Sequence, residues 1–171
     1  MTETIKKAVH SFAVWAVSLV GLSEAFANYV YVLIISMLPI IELRGAIPVA
    51  FALGLPIIPS FLVSVIGNLL PVPFILWLIT PFCNWLKTTK AFRWFPEFLE
   101  NKVEKNKEKV TKYKNWGLFL FVAIPLPGTG AWTGALIASF LDYKFRDAFW
   151  AITAGVLTAG IIMSVFSYGL L

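Results

Sequence analysis

The chain has 171 residues, of which 59% are apolar and only 13% charged, with a net charge of +5; soluble domains average roughly half apolar and a quarter charged. A mean hydropathy of +0.82 excludes a water-soluble globule, and the length suits one integral membrane domain over residues 1–171. The charge does not indicate nucleic acid, because nine of the fourteen Lys and Arg residues fall between Lys87 and Lys114 beside four acids, so that one loop carries the whole excess.

In chain order, Lys6 and Lys7 precede an apolar run at 8–22 that is short for a span, within an N-terminal helical region 1–28. No small-x-small cleavage pattern follows it, so the segment is expected to be retained, either crossing the bilayer or lying on its surface. The first repeat covers 29–86. Residues 29–55 are apolar but broken by Pro39, Glu42, Arg44, Gly45 and Pro48, whereas 57–80 can span. The basic segment 87–116 places Leu99, Val103, Val110 and Tyr113 on one helical stripe, with Asn106 in the gap and Glu108 four residues before Lys112. This predicts an amphipathic cytoplasmic helix on the membrane surface or against a partner, and Trp77, Trp85, Trp94 and Trp116 suit interfacial anchors.

The second repeat covers 117–171. Residues 117–141 are broken at Pro125, Pro127, Gly128, Gly130 and Gly134, and 148–171 form the last span. Proline removes a backbone donor and glycine weakens a helix, so both broken segments predict re-entrant hairpins with turns at Pro39 and Pro48, and at Pro125 and Pro127. Ten residues from Tyr29 make about 15 Å of helix, half of a core about 30 Å thick. Shifting the sequence by 86 lays Pro39 on Pro125, Arg44 on Gly130, Gly45 on Ala131 and Pro48 on Gly134. The order hairpin, short loop, span recurs across an odd number of crossings, which predicts an inverted repeat. With the basic segments inside, the N-terminus is cytoplasmic, the first hairpin dips from outside, the second enters from the cytoplasm and the C-terminus lies outside. The expected fold class is thus an all-α integral membrane protein.

Chemistry is concentrated at the two turns. Glu42 and Arg44 are the only residues within 25–86 charged at neutral pH, and a charge near mid-bilayer costs at least about 2.5 kcal/mol. Glu42 could neutralise Arg44 or take up a proton; a structural or snorkelling ion pair is the alternative. The second turn holds no charge, but Gly128, Thr129, Gly130, Trp132 and Thr133 offer backbone amides, hydroxyls and an indole N–H, and a helix starting near Gly130 would aim its positive end at an anion faced by Arg44. Small-residue packing through Gly130, Gly134 and Ala138 explains the same residues. Asn68, beside Gly67, could hydrogen-bond a hairpin across a close approach or serve packing alone. Cys83 and His10 have no partner at disulfide or metal-ligand spacing, so neither a metal nor a cofactor is expected.

Glu42-Leu43-Arg44-Gly45-Ala46-Ile47-Pro48 together with Pro125-Leu126-Pro127-Gly128-Thr129-Gly130-Ala131-Trp132-Thr133-Gly134 resembles the prokaryotic small multidrug export family, related to the DedA (VTT-domain) superfamily. The resemblance covers about residues 29–171. It implies paired re-entrant helices, places Glu42 at the acidic position of the first hairpin motif, and associates the chain with polyprenyl-phosphate movement and proton-linked behaviour in the cell membrane. DedA proteins carry arginines around the second turn, where this chain has Ile124 and Thr129-Gly130, leaving Arg44 as the phosphate-binding charge. The favoured expectation is a non-enzymatic translocase of an anionic lipid phosphate. Glu42, Arg44, Gly128, Thr129, Gly130, Trp132 and Thr133 would bind that substrate, and Glu42 would couple protons. A proton-coupled exporter of small lipophilic cations and a non-transporting membrane scaffold are the alternatives. Membrane lipids are the expected partners, and a homodimer fits a chain that alone barely encloses a site.

Overall fold

The computed structural model describes residues 7–8, 10–12, 14–15, 24–88, 101, 104, 115–126, 128–141 and 143–169. Among these residues every regular element is helical: α1 (Glu24–Met37), α2 (Glu42–Ala52), α3 (Ile57–Leu69), α4 (Pro71–Thr88), α5 (Asn115–Ala123), α6 (Ala131–Phe140) and α7 (Phe145–Tyr168). Ile57–Ile79 and Phe145–Tyr168 are long and apolar enough to cross a membrane. The first is α3 and the start of α4 joined through a turn at Leu70, where Pro71 supplies no N–H to continue the ladder. At 1.5 Å per residue α1, α2, α5 and α6 are only about 14–21 Å long, too short to cross singly. Most of the 8–22 segment lies outside the described residues. So does nearly all of the basic segment, of which Asn101 and Glu104 are helical and exposed.

The chain forms two compact units, one from Met1–Asn68 with Gly160–Leu171 and the other from Leu69–Ala159. In the first, α1 and α2 make a hairpin over a core of Tyr31, Val32, Ile35, Ala46, Ala50 and Leu55. Helix α2 closes with two bonds, Leu55 N–H to the Ala50 carbonyl (3.0 Å) and Gly54 N–H to that of Phe51 (2.9 Å). Gly54 at φ 69° takes the left-handed position such a closure requires. The Tyr168 hydroxyl donates to the Leu55 carbonyl at 2.9 Å and its ring meets Phe51 edge-on, fixing the end of α7 to this loop.

In the second unit α6 is buried on nearly every side, with Ala131, Thr133, Gly134, Ala135, Leu136, Ile137, Ala138 and Ser139 all covered. Ser139 Oγ reaches the carbonyls of Ala135 (2.9 Å) and of Ile75 in α4 (3.3 Å). Gly134 leaves no room for a methyl group: a Cβ there would lie 2.7 Å from Val122 Cγ2. The small-residue packing expected of this segment is therefore present at Gly134.

The two units repeat each other in local detail. A Cβ on Gly67 would clash with Ser36 and lie 2.6 Å from the Leu33 carbonyl of α1; one on Gly155, 88 residues later, would meet Val122 and the Phe119 carbonyl of α5. The closure of α2 recurs as Tyr143 N–H to the Ala138 carbonyl (3.0 Å), again 88 residues on. A shift of 86 relates Leu33 and Ser36 to Phe119 and Val122, but it fails beyond the turns, because 124–130 is three residues longer than 38–41. Gly45 therefore corresponds to Gly134, not Ala131: each is the first amide to donate to its helix's N-cap carbonyl, Ile41 at 3.0 Å and Gly130 at 2.8 Å.

The long helices turn bulky apolar side chains outward and mostly small or polar ones inward, with Val65 of α3 and Ile152 and Val156 of α7 the bulky exceptions on the buried face. On α3, Ile58, Leu62 and Ile66 are exposed while Ser60, Ser64, Gly67 and Asn68 are buried. On α7, Trp150, Leu157, Ile161 and Val165 are exposed while Ala148, Gly155, Ala159, Gly160 and Ser164 are buried. In water this would leave extensive apolar patches uncovered; in lipid, helices associate through close packing of small residues and leave bulky ones to the acyl chains.

Candidate functional site

The first hairpin reverses over Leu38–Ile41 because Pro39 cannot continue the α1 ladder. Leu38 N–H donates to the Ile35 carbonyl (3.2 Å), and Glu42 N–H to that of Leu38 (2.9 Å). Pro39 and Ile40 are exposed at the tip, and Glu42 opens α2 with its side chain buried at 4% exposure. Its φ of 51° is the one positive value among the described non-glycine residues, and a left-handed conformation costs an L-residue about 1–2 kcal/mol. An acidic side chain is thus both buried and held in a strained backbone, a combination concentrated at working sites. Arg44 is half-buried and within electrostatic reach of Glu42. Pro48 does not form the turn that was expected of it: it lies inside α2, where its fixed φ is compatible with the helix, although it supplies no N–H to the ladder.

The second turn is built differently. Gly128 (φ 82°) and Gly130 (φ 132°) take up the unusual backbone angles. Thr129, expected to present its hydroxyl to a ligand, lies within hydrogen-bond reach of the Ile124 (2.9 Å) and Leu126 (2.8 Å) carbonyls of its own turn. Pro125 is half-buried in this turn, and Pro127 lies outside the described residues. Gly130 caps α6 with no side-chain acceptor, so the first-turn amides gain nothing from the cap. Trp132 is half-buried and Thr133 buried. The structure therefore groups Glu42 with Arg44 in the first unit, and Gly128, Thr129, Gly130, Trp132 and Thr133 in the second.

Two further features belong to the first unit. Ser60, Ser64 and Asn68 recur every four residues on α3 and are fully buried. Ser60 donates to the Pro56 carbonyl (2.7 Å), while Ser64 Oγ and both amide atoms of Asn68 have no hydrogen-bond partner. The bond to a hairpin expected of Asn68 is thus not made, although the close approach at its neighbour Gly67 is. Beside this stripe, Ile57, Ile58, Phe61, Leu62, Ile161 and Val165 line an open apolar groove of about 580 Å³ that also includes Ser164, whose buried hydroxyl has no partner. Four-residue spacing of polar residues in an apolar span was a readable signal for the stripe; the groove joins residues a hundred positions apart and left none.

Two apolar helices long enough to cross a membrane, set among short helices, are the marks of an all-helical membrane protein, and Glu42 is an acid buried at its strained first turn. The chain belongs to the family described as "Putative small multi-drug export protein", whose model matches residues 42–162, from Glu42 to the middle of α7. No curated protein and no solved structure matches it.

Proposed function

We propose that this chain exports small lipophilic cations in exchange for protons, with Glu42 as the group that holds either the cation or a proton. The buried Glu42 carboxylate carries this reading: in a medium where an isolated charge is costly, it is stable protonated or paired with a cation, and a molecule that alternates between these states couples their movements. Arg44 beside it limits the negative charge available and so weakens cation binding, which favours release. The 580 Å³ groove is within the range of small-molecule pockets and offers an apolar surface for the lipophilic body. The family's description supports export of small compounds. The short helices support hairpins that enter the membrane without crossing it, and the recurrence of local structure supports an inverted repeat of two such hairpins.

A second reading, translocation of a polyprenyl-phosphate-type lipid, rests on the half-buried guanidinium of Arg44 and on the DedA resemblance. Uptake of tetraphenylphosphonium and of a fluorescent polyprenyl phosphate into proteoliposomes under an imposed pH gradient separates the two. Cation exchange is expected in the native protein and lost in Glu42→Gln. Phosphate movement that vanishes in Arg44→Ala, with no cation exchange, replaces it by the lipid reading.

A further inference from the structure

The fold does not require the buried polar stripe of α3. In the second unit the residues 88 positions on from Ser60, Ser64 and Asn68 are Ala148, Ile152 and Val156; all six are fully buried, and the second set has no side-chain polar atoms. The register is fixed by Gly67 and Gly155, which make equivalent contacts with α1 and α5. Where one unit buries apolar side chains, the other buries an amide and a hydroxyl whose polar atoms have no partner. Such atoms destabilise the protein unless something hydrogen-bonds them.

Their place suggests what does. Gly67 seats on Leu33 and Ser36, in the last turns of α1, and the chain passes from there through Leu38–Ile41 to Glu42. The Asn68 end of the stripe is therefore next to the contact with the last turns of α1, which lead into the turn that presents the acid. Ser64 and Asn68 are one helical turn apart and share a face, with Cβ atoms about 6 Å apart. Asn68 Oδ1 and Ser64 Oγ accept hydrogen bonds, and Asn68 Nδ2 donates two. A quaternary ammonium ion has no N–H to donate to these oxygens and no oxygen to accept from the amide; a protonated amine with a neighbouring hydroxyl supplies N–H groups for the oxygens and an oxygen for the amide N–H.

We infer that Ser64 and Asn68 form a hydrogen-bonding subsite, in the same unit as Glu42, that selects lipophilic protonated amines bearing a nearby hydroxyl over quaternary ammonium ions. The inference rests on the proposed cation site and names its substrate class. A site built to hydrogen-bond an N–H discriminates strongly against an analogue that lacks it, because its buried groups are then left unpaired.

Isothermal titration of the full-length protein in nanodiscs with N-octylethanolamine and with octyltrimethylammonium reads the ratio directly. The native protein is expected to prefer the hydroxyamine by at least about 10-fold. Asn68→Val, which installs the second unit's residue, and Ser64→Ala are expected to collapse that ratio toward one, leave quaternary binding unchanged, and preserve or raise the melting temperature. Equal binding of both compounds by the native protein, or an unchanged ratio in both variants, overturns the subsite while leaving the cation site standing. Binding of neither compound overturns the cation site itself. Unfolding of both variants assigns the two residues to structure and also overturns the subsite.

Discussion

The two hairpin units use one construction for different ends. Each has a short helix, a proline-containing turn, a second short helix closed by the same pair of backbone positions, and a glycine on the following long helix that lets it approach the hairpin. They part at the turn and along the buried face. The first turn places an acid at φ 51° and the first buried face carries Ser60, Ser64 and Asn68; the second turn gives its positive φ values to Gly128 and Gly130, and the matching face is apolar. Glycine adopts such angles without steric penalty, whereas glutamate does not. Features that one unit manages without are not demanded by the fold, and among the described residues the strained non-glycine backbone and the unpaired buried atoms of Ser64 and Asn68 both fall in the first unit, where the proposed site lies.

The strongest test of that contrast is loss of the acid. Glu42→Gln is expected to reduce cation-driven proton exchange by about 100-fold or more, in the range found for removal of a proton-transfer group, whereas Thr129→Val leaves it near native; vesicle pH measured with a trapped indicator reads both. Equivalence of the frameworks is tested by Gly67→Leu and Gly155→Leu. Each forces a side chain into backbone and neighbouring atoms, and each should lower stability by about 1–3 kcal/mol or more, as overpacked cores do, measured by thermal unfolding in detergent. A large loss at one glycine only would break the comparison.

Rebuilding the first turn to resemble the second sharpens it. The double variant Glu42→Gly, Arg44→Ala removes strain and both charges together, so it should fold with stability equal to native or higher by about 1 kcal/mol, while exchanging no protons. The smallest effects are local. Thr129→Val and Tyr168→Phe each delete a hydroxyl that bonds a backbone carbonyl, and each should cost about 1 kcal/mol, with cation affinity unchanged in Thr129→Val.

Much of this architecture was legible in the sequence because proline, glycine and charge are local signals. Pro39 and Pro125 mark the turns, the uninterrupted apolar runs gave both spans to within three residues at their N-terminal ends, and Glu42 stands out as an acid in an apolar stretch. What was misread depends on length and on distant contacts. One shift of 86 aligned the hairpins only as far as their turns, since nothing local announces that the second turn is three residues longer. Pro48 was assigned to a turn because proline usually ends a helix, yet α2 accommodates it. The carbonyls within reach of the Thr129 hydroxyl, three and five residues back, become its neighbours only when the turn closes, so the sequence does not show them. The polar stripe gains its meaning only when Gly67 and Gly155 fix the register, in which the position of Asn68 corresponds to that of Val156.

Proton release on cation binding tests the central claim most directly. Purified protein in weakly buffered detergent near neutral pH is titrated with N-octylethanolamine while a pH indicator is read. If Glu42 holds either a proton or the cation, the native protein acidifies the solution in proportion to cation bound, and Glu42→Gln binds more weakly and releases nothing. Cation binding by the native protein with no proton release, or equal release from Glu42→Gln, would contradict the account.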